Sequence, residues 1–298
     1  MTTNSILAAL GLPASTRAVV LHADDIGMCH ATVEAYQRLV ASRPDLCAST
    51  MVTCSWFPAV ARACRASTLD MGVHLTLTSE WRDYRWGPLT GTGGAGLCDS
   101  SGYFPAAADP LYAGPRLDEL IAIELEAQVQ RALDAGIDVT HVDSHMFSLM
   151  HPSLLKTYVE VGHRHALPCF LTPKAAALLP SSAAVPPGGV RFDAWATLPL
   201  DTASDRLELA KRCFDKLPEG LSYFLFHPAI DTPELRALAP DWQARVADFE
   251  LCAGTAWEKL VASAGLVVVG MRALRAAAFP EPDTGQGLTR PHRASLGS

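Results

Sequence analysis

Short runs of β-branched and apolar residues alternate along this chain with longer stretches in which apolar residues recur every three or four positions. Residues 18–21 (AVVL) predict a first strand, and Val33, Tyr36, Leu39 and Val40 then fall at helical spacing within 31–41. Residues 48–53 (ASTMVT) read as a second strand, 58–66 as a helix with Pro58 near its start, and 71–77 (MGVHLTL) as a third strand. The strongest helix spans 115–135. Its apolar stripe is Leu117, Leu120, Ile121, Leu125, Val129, Ala132 and Leu133, and Gly136 supplies the stop. Further on come a strand at 137–142, a helix at 152–166, a short strand at 168–171 and a helix at 203–217 capped by Asp201 or Thr202. A strand at 221–226 (LSYFLF), helical sequence over 241–264 and a last strand at 266–270 (LVVVG) complete the pattern. Residues 79–110 and 178–190, rich in Gly, Ser and Pro, read as loops.

Repeated strand–helix alternation predicts an α/β fold with a parallel sheet flanked by helices, either open or closed. No GxGxxG follows the first strand and no phosphate-loop motif is present, which disfavours a dinucleotide-binding open sheet. The number of short strands favours a single-domain (β/α) barrel, TIM-barrel-like but irregular or incomplete. No compositional shift divides residues 1–279, which read as one domain, and the polar, Pro/Gly-rich 280–298 reads as a disordered tail.

Composition narrows the partners. Hydrophobic residues make up 49% and charged residues 18%, which suits a folded chain with a full core. A net charge of −7 with no Lys/Arg run argues against nucleic acid and against a polybasic membrane patch. No apolar run approaches the roughly 18 residues of a membrane span, and no positive charge precedes the short apolar stretch at the N-terminus, so no secretory signal is read. Eight cysteines, none in a CxxC and several in apolar company, suit reduced thiols in the cytoplasm. A mean hydropathy of +0.15 mildly favours a homo-oligomer.

In barrel enzymes the chemistry sits at the C-terminal strand ends. Here those ends carry His22-Ala-Asp24-Asp25, His74, Asp143-Ser-His145 and His227-Pro228. Four predicted strand ends thus each offer a carboxylate or an imidazole. One carboxylate with two imidazoles is a common set for a divalent ion that keeps a position open for water. The spare carboxylate of an Asp-Asp pair can then serve as general base.

The motifs resemble those of a known family. HADDIGMCHATVEAY is similar to the NADDFG-type opening of the ChbG/HpnK-like (YdjC family) carbohydrate deacetylases. GVHLTL resembles that family's second motif, ELEAQVQRALDAGIDVTHVDSHMFSLMHP its third, and FHP its later H-P-G motif, all in order between about Val19 and Pro228. The resemblance implies a (β/α) barrel, one divalent metal ion (Zn2+ or Mg2+) and removal of an N-acetyl group from a sugar. It makes Asp25, His74 and His145 the metal ligands, Asp24 the catalytic base and His227 an acid or substrate contact. Apart from the resemblance, Asp143 could hold a ligand imidazole by its other nitrogen or equally cap the segment that follows. Two departures stand out: Phe147 and Leu149 replace histidines of a DSHxHxH pattern, and Ala229 replaces the H-P-G glycine. His22 stands where the family has Asn.

Blander readings compete at each position. Asp24 and Asp25 could cap a helix, His74 could be a satisfied core histidine, His141 reads as structural, and His22 as bonded only to backbone. Trp81, Tyr84 and Trp86 in the long loop, with Phe147, are candidate sugar contacts; the alternative is a packed loop. Other functions stay open: a different metal-dependent barrel enzyme, a glycoside hydrolase using Asp24 and Asp143, an amidohydrolase on a non-sugar N-acyl compound, or a non-catalytic sugar binder.

Overall fold

The computed structural model describes residues 3–91, 96–112, 117–179 and 190–280. Most of the expected tail, and most of the loop expected at 178–190, lie outside these residues. Chain order runs α1 (Thr3–Ala9), β1 (Arg17–Ile26), α2 (His30–Val40), β2 (Cys47–Thr50), α3 (Phe57–Ala66), β3 (Met71–Leu75), α4 (Leu117–Asp134) and β4 (Val139–Ser144). It continues with α5 (Pro152–Arg164), α6 (Pro173–Ala176), β5 (Ala194–Thr197), α7 (Arg206–Asp215) and β6 (Gly220–Phe226). Last come α8 (Pro233–Leu238), α9 (Trp242–Ala253), α10 (Thr255–Ser263), β7 (Val267–Val268) and α11 (Met271–Ala278).

All pairings are parallel, in the order β4-β3-β2-β1-β6-β5. A strand has two edges, and β6 occupies one edge of β1 from Arg17 to Ala23. On the other edge β7 pairs with Ala18 and Val19, and β2 takes over from His22. Beyond β4, Cys169 makes a single parallel bridge to Val142, all that forms of the strand expected at 168–171.

Strand alternation sorts the core into two clusters. Val19, Leu21 and Ala23 of β1 pack with the helices, together with Phe224 and Phe226 of β6. Ala18 and Val20 face the other way, with Leu221, Tyr223 and Leu225. Ile6, Leu7, Met271 and Leu274, from α1 and α11, complete that second cluster near the strand starts.

Curvature is visible in one contact. His22 on β1 and His141 on β4 are separated by three strand spacings, about 14 Å across a flat sheet. Their ring nitrogens nevertheless lie 2.8 Å apart. The sheet therefore curls until opposite strands touch through side chains. It does not close by hydrogen bonds among the described residues. Aromatic rings span the seam instead: Phe170 stacks on Tyr223 with centroids 4.0 Å apart, and Phe192 meets Phe170 at 5.5 Å. The observed fold is thus a curled, open parallel sheet with helices around it.

Three local expectations differ. The helical sequence over 241–264 breaks at Gly254 into α9 and α10. Helix α7 begins at Arg206 after Asp205 in a left-handed conformation, without a side-chain cap. Strand β5 was read from no pattern, because only four residues form it and none is fully buried.

Helix α4 ends where Gly136, at φ +81°, sends its N–H back to Leu133 O. Its buried face also holds two polar side chains. Gln128 accepts from Thr76 N (2.9 Å) and donates to Thr76 O (2.8 Å), while Glu124 accepts from the N–H groups of Leu89 and Thr90. These bonds anchor the chain that leaves β3. Gln128→Ala is expected to strand both Thr76 groups and lower stability by about 2–4 kcal/mol, read from urea unfolding.

Candidate active site

The two adjacent aspartates would normally point to opposite sides of a strand. They reach one site because β1 is irregular there: its register with β2 shifts between Ala23 and Ile26, and Asp25 sits at φ +63°. His74 and Asp143 are register partners on β3 and β4, and Ala23 pairs with Phe226, which brings His227 level with Asp24. After β4 the chain turns sharply, with Met146 and Phe147 at φ +51° and +52°. Two consecutive non-glycine residues in this region carry strain of order 1–2 kcal/mol each. The turn brings His145 back toward the strand ends.

Asp25, His74 and His145 converge. Asp25 Oδ1 lies 3.3 Å from His74 Nε2 and 3.2 Å from His145 Nδ1, and those nitrogens are 3.2 Å apart. Three ligands held about 2.0–2.2 Å from one ion in tetrahedral geometry sit roughly 3.3–3.5 Å from each other, so the triangle fits a divalent cation. Asp25 Oδ1 is buried without a hydrogen-bond partner.

Each member is held by its far atom. His74 Nδ1 donates to Asp143 Oδ1 (2.8 Å), which leaves Nε2 facing the triangle. His145 Nε2 donates to Glu80 Oε2 (3.0 Å), which leaves Nδ1 facing it. Arg245 Nη1 donates to Asp25 Oδ2 (2.8 Å) and its Nε to Asp241 (2.8 Å). Ser49 Oγ donates to Asp143 Oδ2 (2.8 Å).

Two other sets gather ligand-type atoms: His22, His141 and Asp143, and Asp24, His74 and Asp143. Both contain a pair of facing atoms closer than the roughly 3.3–3.5 Å of tetrahedral ligands, His22 to His141 at 2.8 Å and His74 to Asp143 at 2.8 Å.

Burial and charge act together on these groups. Burial raises the Asp25 carboxyl, but Arg245 and the two imidazoles outweigh it and hold Asp25 well below the usual range. Burial opposes a charge on His145, yet Glu80 and Asp25 raise it to about 9. His74 is likewise raised against burial, by Asp143 and Asp25. His227 is lowered, chiefly by burial.

A cleft of about 380 Å³ opens over this centre, lined among others by Asp24, His227, Trp81, Trp86, Phe147 and Leu198. Asp24 Oδ2 lies 4.0 Å from His227 Nε2. Three of the four expected sugar contacts, Trp81, Trp86 and Phe147, line the cleft. Tyr84 stands outside its lining and donates its hydroxyl to Met28 O (2.6 Å). Asp143 is also absent from the lining and buried beneath His74, which removes the Asp24/Asp143 pair of a glycoside hydrolase.

Sequence reasoning missed Glu80, Ser49 and Arg245. Arg245 lies 220 positions from the carboxylate it holds. Glu80 sits in loop sequence, and neither residue carries a spacing signal. His141, read as structural, shares the interior with His22, which bonds Asp24 rather than backbone alone.

Fold and centre together define an α/β protein with a buried carboxylate–imidazole triangle at the strand ends of a parallel sheet. Residues 18–263 match the family model described as YdjC-like protein, and the chain belongs to that family. It is 36% identical over 259 residues to a carbohydrate deacetylase of Thermus thermophilus, covering 82% of this chain and 89% of that one. A carbohydrate deacetylase of Brevibacillus brevis is 30% identical over 155 residues, covering 50% of this chain and 57% of the relative. The fold is shared with an Enterococcus faecalis protein named for cellobiose-phosphate cleavage: TM-score 0.72 at 20% identity, covering 87% of this chain and 99% of that one. No helix among the described residues is long and apolar enough to cross a membrane.

A pH prediction follows for the protein in chelator. The raised imidazoles stabilise it fully below the ordinary histidine pKa of about 6.5, and that contribution fades as pH rises toward the folded-state values. His145 sets the window, since its folded value is about 9. The Tm of chelated protein is expected to fall between pH 6.5 and 9, and to fall less in His145→Gln, measured by scanning calorimetry.

Proposed function

We propose that this protein is a metal-dependent carbohydrate deacetylase that removes an N-acetyl group from an amino sugar or oligosaccharide. The observation that carries the reading is the Asp25–His74–His145 triangle beneath the cleft, with the orphaned Asp25 oxygen inside it. That the Thermus thermophilus relative is a carbohydrate deacetylase supports the reaction class. In this reading Asp25, His74 and His145 hold one divalent ion, Zn2+ or Mg2+, which when bound supplies an acidified water and a Lewis-acid partner for the acyl oxygen.

The chain's own groups handle the protons. Asp24 lines the cleft, and its Oδ2 takes a proton from the attacking water as the water oxygen adds to the acyl carbon. His227 lies within 4.0 Å of that oxygen and has a buried Nδ1 with no partner. Its lowered pKa makes it neutral at rest and a strong donor once protonated, so it suits a relay from Asp24 to the leaving nitrogen. The C–N bond breaks, and acetate and a free amine leave. Trp81, Trp86 and Phe147 present ring faces to the sugar. The working unit is residues 1–279, acting in the cytoplasm; all eight cysteines are free thiols.

Acetate release from a panel of N-acetylated sugars tests the reading, with metal-loaded and chelated enzyme side by side. Release only with metal is expected. Asp24→Asn should lower kcat by about 10²–10⁴-fold with metal still bound. Undiminished release from chelated enzyme sinks the metal, and full activity of Asp24→Asn sinks the base.

A further inference from the structure

Beneath Asp24, inside the curled sheet, lies a polar group that the proposed reaction leaves unused. His22 and His141 are both fully buried among β1 and β4 residues. His22 Nδ1 is 2.6 Å from Asp24 Oδ1, and His22 Nε2 is 2.8 Å from His141 Nε2. His141 Nδ1 is in turn 3.0 Å from Thr140 Oγ1. The ring of Tyr223 packs on His22 with centroids 5.0 Å apart.

Space has been left for this pair. Gly72 on β3 faces His141, and a Cβ at position 72 would stand 2.6 Å from that ring. Any other residue at 72 would push the imidazole out of line with His22. A buried polar pair in a cavity otherwise suited to apolar side chains costs stability unless every nitrogen is matched. Here each of the four ring nitrogens has a partner.

We propose that His22, braced by His141, is a positioning residue that fixes the orientation of the Asp24 carboxylate, one oxygen held by His22 and the other left to act as base. The inference rests on the reading of Asp24 as the base. Proton bookkeeping supports it. A carboxylate only accepts, so His22 Nδ1 carries the proton in the bond to Asp24 Oδ1. One further proton lies between the two Nε2 atoms, whichever ring owns it. Asp24 Oδ1 is therefore occupied, and Oδ2, 4.0 Å from His227 Nε2, is the oxygen left to act as base. Because Tyr223 and His141 fix the His22 ring, the carboxylate cannot turn away from its present orientation without breaking the 2.6 Å bond. Misplacing a catalytic group by about 1 Å costs up to roughly 100-fold in rate.

Two isosteric substitutions separate the two bonds of His22. In His22→Asn the amide nitrogen takes nearly the place of Nδ1 and keeps the bond to Asp24. In His22→Gln the amide nitrogen takes nearly the place of Nε2 and keeps only the bond to His141. Steady-state acetate release by metal-loaded enzyme is the measurement, with bound metal counted for each variant. His22→Asn is expected to stay within about threefold of the parent, and His22→Gln to lose about 10–100-fold in kcat with KM and bound metal unchanged. Equal kcat in the two variants, or a parental kcat in His22→Gln, overturns the proposal. A ¹⁵N–¹H correlation spectrum of the unmodified protein decides the matter without a variant: Nδ1 of His22 is expected to carry a proton, and a bare Nδ1 overturns it. Asp24→Asn is assayed alongside. An inactive Asp24→Asn with equal His22 variants removes the positioning pair alone, whereas a fully active Asp24→Asn removes the reading of the base beneath it.

Discussion

Burying charge without letting it collapse on itself is the constraint on which this molecule turns. Asp24, Asp25, His74, Asp143 and His145 are all buried at one end of one sheet. Left alone, the three facing atoms of Asp25, His74 and His145 would find other partners. They do not, because each is tied from behind: Asp25 by Arg245, His74 by Asp143, His145 by Glu80. The ties come from α9, β4 and the loop after β3, so three separate parts of the chain must be in place before the centre exists. Asp248 repeats the device one layer out. It is fully buried, takes the His227 N–H at 3.0 Å and faces Arg206, while burial lifts its carboxyl to about 7.

The backbone answers the same constraint. A regular strand would turn Asp24 and Asp25 to opposite faces, and only a left-handed residue with a register shift lets both serve one cleft. The strained pair Met146–Phe147 does the corresponding work after β4. Strain in these two places lies beside the centre, where a tightly packed surrounding can hold it.

Runs of β-branched and apolar residues carried the parallel sheet, whose central strands are buried on both faces, and the 3.6-residue period carried its helices. The strand-end position of Asp24, Asp25, His74, His145 and His227 was legible for the same reason: polar residues that interrupt apolar runs stand out. What holds them was not. Glu80, Ser49 and Arg245 belong to a loop, a short strand and a distant helix, and contact across 65 to 220 positions leaves no trace in local spacing. Curvature was equally hidden. No local sequence signal says that β1 and β4 touch, so His22 and His141 looked like two unrelated histidines. The aromatic seam of Phe170, Phe192 and Tyr223, which stands where a ladder would close a barrel, is a tertiary fact of the same kind.

The loop after β3 joins the cleft wall to the centre. Gln128 and Glu124 pin it at Thr76, Leu89 and Thr90, and Glu80 pins it at His145. Between those pins lie Trp81 and Trp86, and the Trp86 indole donates to Thr78 O at 2.7 Å while its ring stands 6.0 Å from that of His145. Arg245 lies over the Trp81 ring at 5.6 Å while it also holds Asp25. Trp86 thus stands against a member of the triangle, and Trp81 reaches one through Arg245. A sugar that displaced Trp81 would disturb Arg245, and through it the Asp25 carboxylate. Substrate fit and the geometry of the centre are therefore not independent properties here. A side chain that shapes the cleft also sets how firmly the three facing atoms of the triangle are held.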